Sequence, residues 1–513
     1  MSDIERTELT DRTELTGPTE LTGPTELTGL ARLTRTWTIG GQAVPGERHY
    51  EVTDPATGKP LADAPAAAAR DLDAAMAAAR EAFPAWRLDE GRRRGALAAA
   101  ADAITAALGD LAAILTAEQG KPRAEAQAEI AGGVLWLRYF AGLEIPREVV
   151  QDDERGFAEV LRRPLGVVAA IVPWNFPVAL ALWKLAPALR AGNTVVLKPS
   201  PFTPLTTLAL GELLRPVLPP GVLNVVCGPE PLGALTAAHP VPRRLSFTGS
   251  TATGREVLRA GVDDLRRVTL ELGGNDAALV LADADPAAIA ESLFWAAFRN
   301  NGQFCLAVKR VYVPRSRHDE LAEALAAQAA AAVVGPGAHP DTQLGPLTLD
   351  RQRTRVADLV DHAVAGGAIA LCGGVPLDRP GYFYAPTVLA GARDGTPIVD
   401  EEQFGPALPV IPYDDLEDAV AAANGTPFGL TASVWSADPE RAAEVATRLD
   451  AGQVSVNAHG SGLRPDLPFG GHKASGLGVE NGRWGLETFS EPQVLITASR
   501  RRPEAPPREA APH

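Results

Sequence analysis

The chain has 513 residues, of which 46% are hydrophobic, and this is enough to build two or more packed domains. Its formal net charge is −15 and its lysines and arginines are not concentrated in clusters, so a nucleic-acid partner is not expected. Cys227, Cys305 and Cys372 are an odd number and widely spaced, which suggests neither a disulfide framework nor a zinc cluster.

The N-terminal region contains a repeated six-residue unit between residues 7 and 30. Each unit has one large apolar residue and usually a Gly-Pro breaker, so residues 1–34 are predicted to be a disordered tail, as are residues 500–513. The N-terminus lacks a basic region followed by an apolar one, and no apolar run reaches the roughly 20 residues that cross a bilayer. We therefore expect a cytoplasmic protein with no membrane partner.

Between Val167 and Leu272, short β-branched runs alternate with segments of helical periodicity. This pattern predicts a parallel sheet covered by helices on both faces. Gly192 is predicted to end one helix, and Thr203 to cap the next, with Pro204 in its first turn. The predicted strands are Val167–Val172, Thr194–Lys198, Val222–Val226, Arg244–Phe247 and Val268–Leu272.

Unusual residues stand at the ends of four of these strands. Pro-Trp-Asn-Phe-Pro follows the first at 173–177, and Lys198 ends the second. Thr248-Gly249-Ser250 follows the fourth, and Glu271 lies at the end of the fifth. Open parallel sheets bind ligands beyond the carboxyl ends of their strands, so a ligand site is predicted at this edge.

A second alternating unit begins with the strand Ala277–Leu281 and a helix started by Asp285 and Pro286. That helix is predicted to bury Ile289, Leu293, Phe294 and Ala297 on one face. It leads into Asn300–Cys305, which is followed by the strand Val308–Val313 and by a helix that Ser316 can cap. Further units run to residue 456, so a second α/β domain is predicted.

Cys305, Glu271 and Asn175 are the candidate catalytic residues. A thiol with a pKa of about 8.5 is only slightly ionised at pH 7, so a catalytic cysteine requires a base or a positive environment. Glu271 ends an apolar strand, where a carboxylate is costly unless it is paired or used. Asn175 lies between two prolines, and its amide could donate to an oxyanion. A buried inert cysteine, an ion-paired glutamate and a turn asparagine remain the alternatives.

Two further motifs are ambiguous by themselves. Residues 247–254, Phe-Thr-Gly-Ser-Thr-Ala-Thr-Gly, offer free N–H groups to a phosphate, but ordinary helix starts have the same composition. Residues 401–406, Glu-Glu-Gln-Phe-Gly-Pro, are typical of a solvated acidic loop. The histidines form no HxxxH pattern or cluster with cysteines, so no metal site is predicted.

Together these motifs resemble the aldehyde dehydrogenase superfamily, from about Arg35 to Ser499. The resemblance also rests on Lys-Pro-Ser at 198–200, Glu-Leu-Gly-Gly at 271–274, Gly-Gln-Phe-Cys at 302–305 and Pro-Phe-Gly-Gly-His-Lys-Ala-Ser-Gly at 468–476. It implies NAD-dependent oxidation of a small-molecule aldehyde to a carboxylic acid, with NADP not excluded. Cys305 would form a thiohemiacetal and then a thioester, Glu271 would be the general base, and Asn175 the oxyanion donor.

The resemblance also implies roles for other residues. Lys184 and Glu480 match positions linked to proton relay. Trp183, Phe298, His459 and Phe469 fall where substrate-tunnel residues are expected. The implied cofactor-binding residues are Ile171, Trp174, Lys198, Ser200, Gly249, Ser250, Gly254, Glu402 and Phe404.

The implied fold class is α/β, with a Rossmann-like cofactor domain, a second α/β catalytic domain and a small β oligomerisation sheet. The cofactor domain would comprise residues 35–145 and 165–273, and the catalytic domain residues 274–487. Residues 146–164 and 488–499 would be the oligomerisation segments. A homodimer or homotetramer is the implied assembly.

The chain departs from the family pattern at two places that concern specificity. Many NAD-preferring relatives carry a carboxylate three residues after the lysine, where this chain has Pro201. Residues 457–467 contain His459, Arg464 and Asp466 in place of an aromatic-rich stretch. These residues suggest either a polar or anionic aldehyde or a merely solvated loop.

Three other functions stay open from the sequence. Cys305 and Glu271 could act as an esterase pair with no redox step. The thioester could be released to coenzyme A, although relatives that do so commonly lack the base that Glu271 provides. A binding protein on a retired enzyme scaffold is a third alternative, which the presence of all the candidate catalytic residues disfavours.

Overall fold

A computed structural model describes residues 36–145, 147–460 and 462–497. Both predicted tails, Pro146 and residues 498–499 lie outside these ranges. In chain order, the strands are β1 Thr36–Ile39, β2 Gln42–Pro45, β3 His49–Asp54, β4 Lys59–Pro65, β5 Glu148–Asp153, β6 Gly156–Pro164, β7 Val167–Ile171, β8 Thr194–Lys198, β9 Leu223–Val225, β10 Arg244–Thr248, β11 Arg267–Glu271, β12 Asp276–Val280, β13 Val308–Pro314, β14 Ile369–Cys372, β15 Thr387–Ala390, β16 Ala407–Tyr413, β17 Thr431–Trp435, β18 Gln453–Val456, β19 Gly476–Leu477 and β20 Ser490–Thr497.

Two large sheets form the two lobes of the described chain. The first has the strand order β19-β11-β10-β7-β8-β9-β1-β2, and its five central strands are parallel. The second has the order β14-β15-β16-β13-β12-β17-β18 and is parallel except at β14. A three-stranded sheet, β20-β6-β5, and the hairpin β3-β4 complete the described strands. The α/β fold class and the small β sheet are therefore confirmed.

Helices cover these sheets. In the second sheet, Ala277 and Leu279 of β12 belong to one hydrophobic core cluster, while Ala278 and Val280 belong to another, so both faces of that strand are buried. The helices are Ala69–Trp86, Glu90–Ala106, Leu108–Gln119, Arg123–Gly142, Pro177–Ala191, Leu205–Leu214, Leu232–Ala238, Thr251–Val262, Pro286–Phe298, His318–Ala331, Asp350–Ala365, Pro397–Asp400, Leu416–Asn424, Pro439–Ala446 and Gly482–Glu487.

The strand register brings the predicted ligand-binding edge together. Ile171 pairs with Lys198 across β7 and β8, and with Phe247 across β7 and β10. Thr248 pairs with Glu271 across β10 and β11. The carboxyl ends of these four strands therefore lie side by side, as the sequence predicted. The predicted strand Thr194–Lys198 is confirmed in full, and the bounds of the other four predicted strands of this sheet differ by at most one residue at each end.

Two predicted helix caps are wrong. The backbone N–H groups of Leu205 and Thr206 donate to the carboxylate of Glu118 at 2.7 and 2.9 Å, so a distant glutamate satisfies this helix start. The Thr203 hydroxyl instead donates to the Trp174 carbonyl. Ser316 does not cap its helix, because Arg315–Arg317 forms a 3₁₀ turn after β13 and the helix begins only at His318. The predicted end at Gly192 is confirmed, since Gly192 has a positive φ of 99°.

Strand β19 follows the strands of the second large sheet in sequence but belongs to the first large sheet. Strand β19 pairs with β11 at Leu270 and Glu271, and so extends the first sheet. The predicted boundary at residue 487 had assigned this segment to the second domain. Gly476 consequently lies beside Glu271, and the Ser475 carbonyl accepts from the Leu272 N–H.

None of the helices in the described ranges has, by itself, the length and apolar content to cross a membrane. The helices Glu90–Ala106 and Leu108–Gln119 reach that length and apolar content only when they are counted together. The chain bends by 70° between them.

Candidate active site

The three candidate catalytic residues line one cavity of about 760 Å³. Asn175 comes from the loop after β7, Glu271 from the end of β11, and Cys305 from the segment after the helix Pro286–Phe298. Asn175 and Glu271 come from the first lobe, and Cys305 comes from the second lobe. The cavity therefore lies where the two lobes meet, beyond the carboxyl ends of the central strands.

Cys305 is held by an unusual backbone turn. Asn300 and Asn301 have positive φ values of 49° and 55°, and Gly302 follows with 71°. A Cβ on Gly302 would lie 2.2 Å from the Gly405 carbonyl oxygen, so only glycine fits there. The Lys309 ammonium donates to the carbonyls of Gly302 and Gly405, at 2.8 Å each, which ties the cysteine segment to the loop that carries Glu402.

The Cys305 side chain is partly exposed to the cavity. Burial raises the pKa of this thiol well above its usual range, and the nearby carboxylates of Asp276, Glu402 and Glu271 raise it further. The raised pKa favours the protonated, thiol form of Cys305. It requires a neighbouring proton acceptor before it can act as a nucleophile.

Glu271 is buried, and neither of its carboxylate oxygens has a hydrogen-bond partner among the described residues. Burial raises the pKa of Glu271 well above its usual value, the charge of Glu480 raises it further, and Lys184 partly opposes both. Lys184 Nζ donates to Glu480 Oε1 at 2.6 Å, deep in the protein. A buried and unpaired carboxyl group of this kind is costly to keep, and such groups cluster at functional sites.

Hydrogen bonds hold both the side chain and the backbone of Asn175. Its side-chain amide donates to the Gln303 carbonyl at 3.0 Å, which places the amide beside the cysteine segment. The backbone carbonyl of Asn175 accepts from Lys121 Nζ at 2.9 Å and from the side-chain amide of Asn300 at 3.1 Å. The remaining amide hydrogen of Asn175 belongs to a side chain that lines the cavity, where an oxyanion would need a donor.

Lys121 and Glu129 form a buried ion pair that the sequence analysis missed. Their side chains are fully buried, with Nζ and Oε2 2.5 Å apart, and the ammonium lies 3.8 Å from the centre of the Phe176 ring. The second Glu129 oxygen accepts from the N–H groups of Val178 and Ala179 at the start of the next helix. One signal could have revealed Glu129: it lies on the same helix face as the buried Ala126 and Ile130, where a carboxylate needs a partner.

We expect Lys121 to be a positioning residue for Asn175. Lys121→Met removes the donor to the Asn175 carbonyl and should lower kcat by about 10- to 100-fold with little change in cofactor KM, because misplacing an oxyanion donor raises the barrier rather than weakening binding. Steady-state kinetics with varied cofactor and aldehyde measure both constants.

A control is needed because Lys121→Met leaves the Glu129 charge buried, at a cost of about 3 to 5 kcal/mol in folding stability. The double variant Lys121→Met with Glu129→Gln removes both charges and should regain stability while kcat stays low. Wild-type kcat in a folded double variant would rule out the positioning role.

Four of the predicted cofactor residues lie at or just beyond the ends of β7 and β8: Ile171, Trp174, Lys198 and Ser200. Lys198 is buried, and its ammonium makes no hydrogen bond or ion pair with any described residue. Burial lowers the pKa of Lys198, opposed by the charge of Glu230. Ile171 and Ser200 are buried beside it, and Trp174 is partly exposed. An unpartnered buried cation beyond a parallel sheet fits the hydroxyl groups of a dinucleotide ribose.

The remaining predicted cofactor residues border the same region. Ser250 caps the helix Thr251–Val262 by accepting from the Thr253 N–H, which leaves a helix start open to phosphate groups. The Gly249 N–H donates to the Glu271 carbonyl. A Cβ on Gly254 would lie 2.5 Å from a Leu272 methyl carbon, so this helix packs closely on the end of β11.

The 401–406 motif is not the simple solvated loop that its composition suggested. Glu402 Oε1 accepts from the Gly274 N–H at 3.0 Å, and burial raises the pKa of Glu402 to about 7. Phe404 has a positive φ of 53° and contacts Trp174 edge-on, with ring centroids 5.5 Å apart. Phe404 therefore contacts the Trp174 loop, and Glu402 binds the backbone that follows β11.

Of the predicted tunnel residues, Trp183, His459 and Phe469 line the cavity, and Phe298 does not. Phe298 is fully buried and stacks on Phe294, with ring centroids 4.9 Å apart, in the core of the second lobe. Its position follows from the helix itself, because residues four apart share a face. The placement of Phe298 in the tunnel was therefore wrong.

His459, Arg464 and Asp466, the residues singled out from the sequence of the 457–467 loop, each have a partner in the structure. His459 Nε2 contacts the Leu306 carbonyl at 2.9 Å, and Nδ1 contacts the Ser433 hydroxyl at 2.9 Å. Arg464 pairs with Asp466 at 2.6 Å on the surface. His459 therefore ties the loop to the residue that follows Cys305. In the described ranges, His, Cys, Asp and Glu form no group of three that could hold a metal ion.

Comparison with known proteins gives one consistent result. The sequence profile described as "Aldehyde dehydrogenase family" matches residues 43–495. Phenylacetaldehyde dehydrogenase of Pseudomonas fluorescens is 38% identical over 488 residues, which is 91% of this chain and 96% of the relative. Succinate-semialdehyde dehydrogenase [NADP(+)] GabD of Escherichia coli is 38% identical over 449 residues, 86% of this chain and 92% of the relative. The solved NAD⁺ complex of an aldehyde dehydrogenase from Bacillus cereus superposes with a TM-score of 0.89 at 33% identity, covering 93% of this chain and 98% of that one.

Proposed function

Because this chain belongs to the aldehyde dehydrogenase family and oxidises aldehydes with NAD or NADP, we propose that Cys305 is its nucleophile, Glu271 its general base and Asn175 its oxyanion donor. One observation carries this proposal. The three side chains come from distant parts of the sequence and line a single cavity. The unpartnered Lys198 and the helix start at Ser250 lie at the same sheet edge.

The cofactor would be held by Lys198 at a ribose, by Ser250 and the following helix start at the phosphates, and by Glu402 and Phe404 at the nicotinamide end. When bound, NAD or NADP supplies the acceptor for the hydride that leaves the substrate carbon. The residues of the first sheet and the 401–406 loop would orient the cofactor. The close packing of Gly254 on Leu272 gives the helix start a fixed distance from Glu271.

In the first step, Cys305 Sγ bonds to the aldehyde carbon, and its proton passes to the Glu271 carboxylate. The carbonyl oxygen becomes an oxyanion that accepts hydrogen bonds from the Asn175 amide and from the Cys305 backbone N–H. Loss of hydride from the same carbon restores the C=O bond and leaves a thioester on Cys305.

Before the second step, Glu271 releases the proton that it took from Cys305. Water then attacks the thioester while the Glu271 carboxylate takes a proton from the water. The C–S bond breaks, the carboxylic acid leaves, and Glu271 returns the proton taken from water to the Cys305 thiolate. The charges of the buried ion pair Lys184–Glu480 act on Glu271. We propose that this pair carries the proton from Glu271 away from the cavity.

The experiment that tests this function is aldehyde-dependent formation of reduced nicotinamide, followed by absorbance with NAD and with NADP. The acid product is measured in the same reaction without added coenzyme A. Equal amounts of acid and reduced cofactor would support the proposal. Ester hydrolysis with no aldehyde oxidation under either cofactor would contradict it. Both cofactors are needed because Pro201 offers no carboxylate to repel a 2′-phosphate.

The two large sheets support the division into a cofactor domain and a catalytic domain. For assembly, we propose a homodimer or homotetramer that pairs through the three-stranded sheet β20-β6-β5. Its support is a group of exposed apolar residues on two of these strands, which in a monomer would face water: Val149, Val150, Val494, Leu495 and Ile496. The molar mass in solution tests this. The three free cysteines are compatible with the proposed cytoplasmic location.

A further inference from the structure

We propose that His459 is a positioning residue for the oxyanion site, because its ring holds the peptide group that in turn orients the Cys305 N–H. This rests on the proposed function, in which that N–H donates to the oxyanion. His459 lines the cavity, and from the sequence it was a candidate for contact with the substrate. Both of its ring nitrogens instead contact protein groups, and one of these follows the nucleophile directly.

Cys305 lies in a tight turn that one backbone hydrogen bond closes. The Ala307 N–H donates to the Phe304 carbonyl at 3.2 Å, so residues 304–307 form a β-turn with Cys305 as its second residue. The Phe304 carbonyl and the Cys305 N–H belong to the same planar peptide group. The orientation of the Cys305 N–H therefore depends on the Ala307 N–H.

His459 holds the peptide group that contains this Ala307 N–H. Its Nε2 atom lies 2.9 Å from the Leu306 carbonyl oxygen, and that carbonyl belongs to the same peptide group as the Ala307 N–H. A carbonyl oxygen can only accept, so Nε2 carries the hydrogen. Two planar peptide groups thus connect His459 to the Cys305 N–H, with one hydrogen bond before the first group and one between the two.

This chain of hydrogen bonds also strengthens the last donor. Hydrogen bonds in a chain polarise one another, by about 10 to 30% per bond, because a peptide whose carbonyl accepts becomes a better donor at its N–H. The Cys305 N–H has no backbone acceptor among the residues that the structure describes. Burial raises the pKa of the Cys305 thiol, and a hydrogen bond from its own N–H partly opposes that rise, so the N–H lies on the side of the reacting sulfur.

Strand β17 fixes the ring of His459. Thr431, Ser433 and Trp435 alternate along this strand, so their side chains share one face. The Ser433 hydroxyl contacts His459 Nδ1 at 2.9 Å and accepts from Trp435 Nε1 at 2.9 Å. Thr431 donates its hydrogen to the Asp276 carboxylate and so can only accept from Nε2, at 3.2 Å. The His459 side chain is 1% exposed, so turning the ring would leave buried polar atoms unpaired.

Three substitutions separate the hydrogen bonds of His459 from its bulk. Glutamine can place an amide N–H where Nε2 lies, asparagine reaches only the position of Nδ1, and methionine fills space without a donor. We expect His459→Asn and His459→Met to lower kcat by about 10-fold with little change in cofactor KM, because a misplaced oxyanion donor raises the barrier. His459→Gln should keep most of the wild-type kcat.

Arg464→Gln is the control for a change in the same loop. Arg464 pairs with Asp466 at 2.6 Å on the surface and takes no part in the chain of hydrogen bonds. This variant should keep the wild-type kcat. Near-ultraviolet circular dichroism of each variant shows whether it is folded, and His459→Asn retains the contact with Ser433 if His459→Met does not fold.

A vibrational measurement tests the cause without aldehyde oxidation or cofactor. In the Glu271→Gln protein, 4-nitrophenyl acetate with an isotopic label at its carbonyl carbon should leave a lasting acetyl group on Cys305, which mass spectrometry verifies. Infrared spectroscopy then records the C=O stretch of this thioester, whose frequency falls as donors to its oxygen strengthen. Adding His459→Met or His459→Asn should move the stretch to higher frequency, and adding His459→Gln should move it less.

The two measurements separate a failure of this inference from a failure of the proposed function. If the protein oxidises no aldehyde with either cofactor but the stretch moves as expected, the function fails and the positioning role stands. An unchanged stretch in the folded variants overturns the positioning role whatever the activity. Equal losses of kcat in His459→Gln and His459→Met overturn it as well, since the shape of the ring would then explain the effect.

Discussion

Replacing Cys305 with alanine should lower aldehyde oxidation by about 10⁴-fold or more, because Cys305 is the only thiol among the described residues that line the cavity. The other thiols cannot substitute. Cys227 is fully buried and contacts the Pro65 carbonyl, and Cys372 lies on β14 at the edge of the second sheet. The measurement is kcat/KM with a saturating concentration of the preferred cofactor, together with a cofactor titration followed by fluorescence.

The matched control for this variant is Cys372→Ala, which removes a thiol of similar exposure far from the cavity and should keep wild-type turnover. Cofactor affinity should be unchanged in Cys305→Ala, since Lys198, Ser250 and Glu402 are untouched. Oxidation that persists in folded Cys305→Ala would exclude the covalent mechanism. Loss of activity in Cys372→Ala would show that the assay reports thiol chemistry outside this cavity.

The strands and the edge that carries the site were predictable from sequence, for local reasons. Each central strand is a short apolar run, and Lys198 and Glu271 stand out because each is a charged residue at the end of such a run. Parallel strands in one sheet then bring these ends together without further information. The same local reasoning applied to Phe298 would have placed it in the core, because Phe294 occupies the same helix face one turn earlier. The resemblance to a family had overridden that signal.

The residues that hold the site depend on contacts between distant segments, and sequence patterns do not report these. Glu118 satisfies a helix start that is 87 residues away, and Lys121 fixes the carbonyl of Asn175 54 residues away. Likewise, the sequence placed His459 and Arg464 in one loop, and only the fold showed that His459 contacts the Leu306 carbonyl and that Arg464 pairs with Asp466. Side-chain type predicted which chemistry is present, and only the fold showed which of these groups are free.

Replacing Glu271 with glutamine should separate the two halves of the reaction. The variant cannot accept a proton from water, so thioester hydrolysis should slow by about 10²- to 10⁴-fold while the acyl-enzyme accumulates. Rapid mixing with excess aldehyde should give a burst of about one equivalent of reduced nicotinamide per active site. Mass spectrometry of the quenched protein should find the acyl group on Cys305. Glu291→Gln, which neutralises an exposed carboxylate of the same cavity, should show neither effect.

The pH dependence gives a second measure of the same role. Burial and the charge of Glu480 raise the pKa of Glu271, so the carboxyl group is protonated at low pH and becomes a base only as pH rises through that pKa. The rate of hydrolysis in the wild type should therefore increase with pH, and this rise should disappear in Glu271→Gln. Glu480→Gln removes the neighbouring charge that raises the pKa, so the rise should move to lower pH. An unchanged steady-state rate in Glu271→Gln, with no acyl group on Cys305, would assign the water-activating base to another residue.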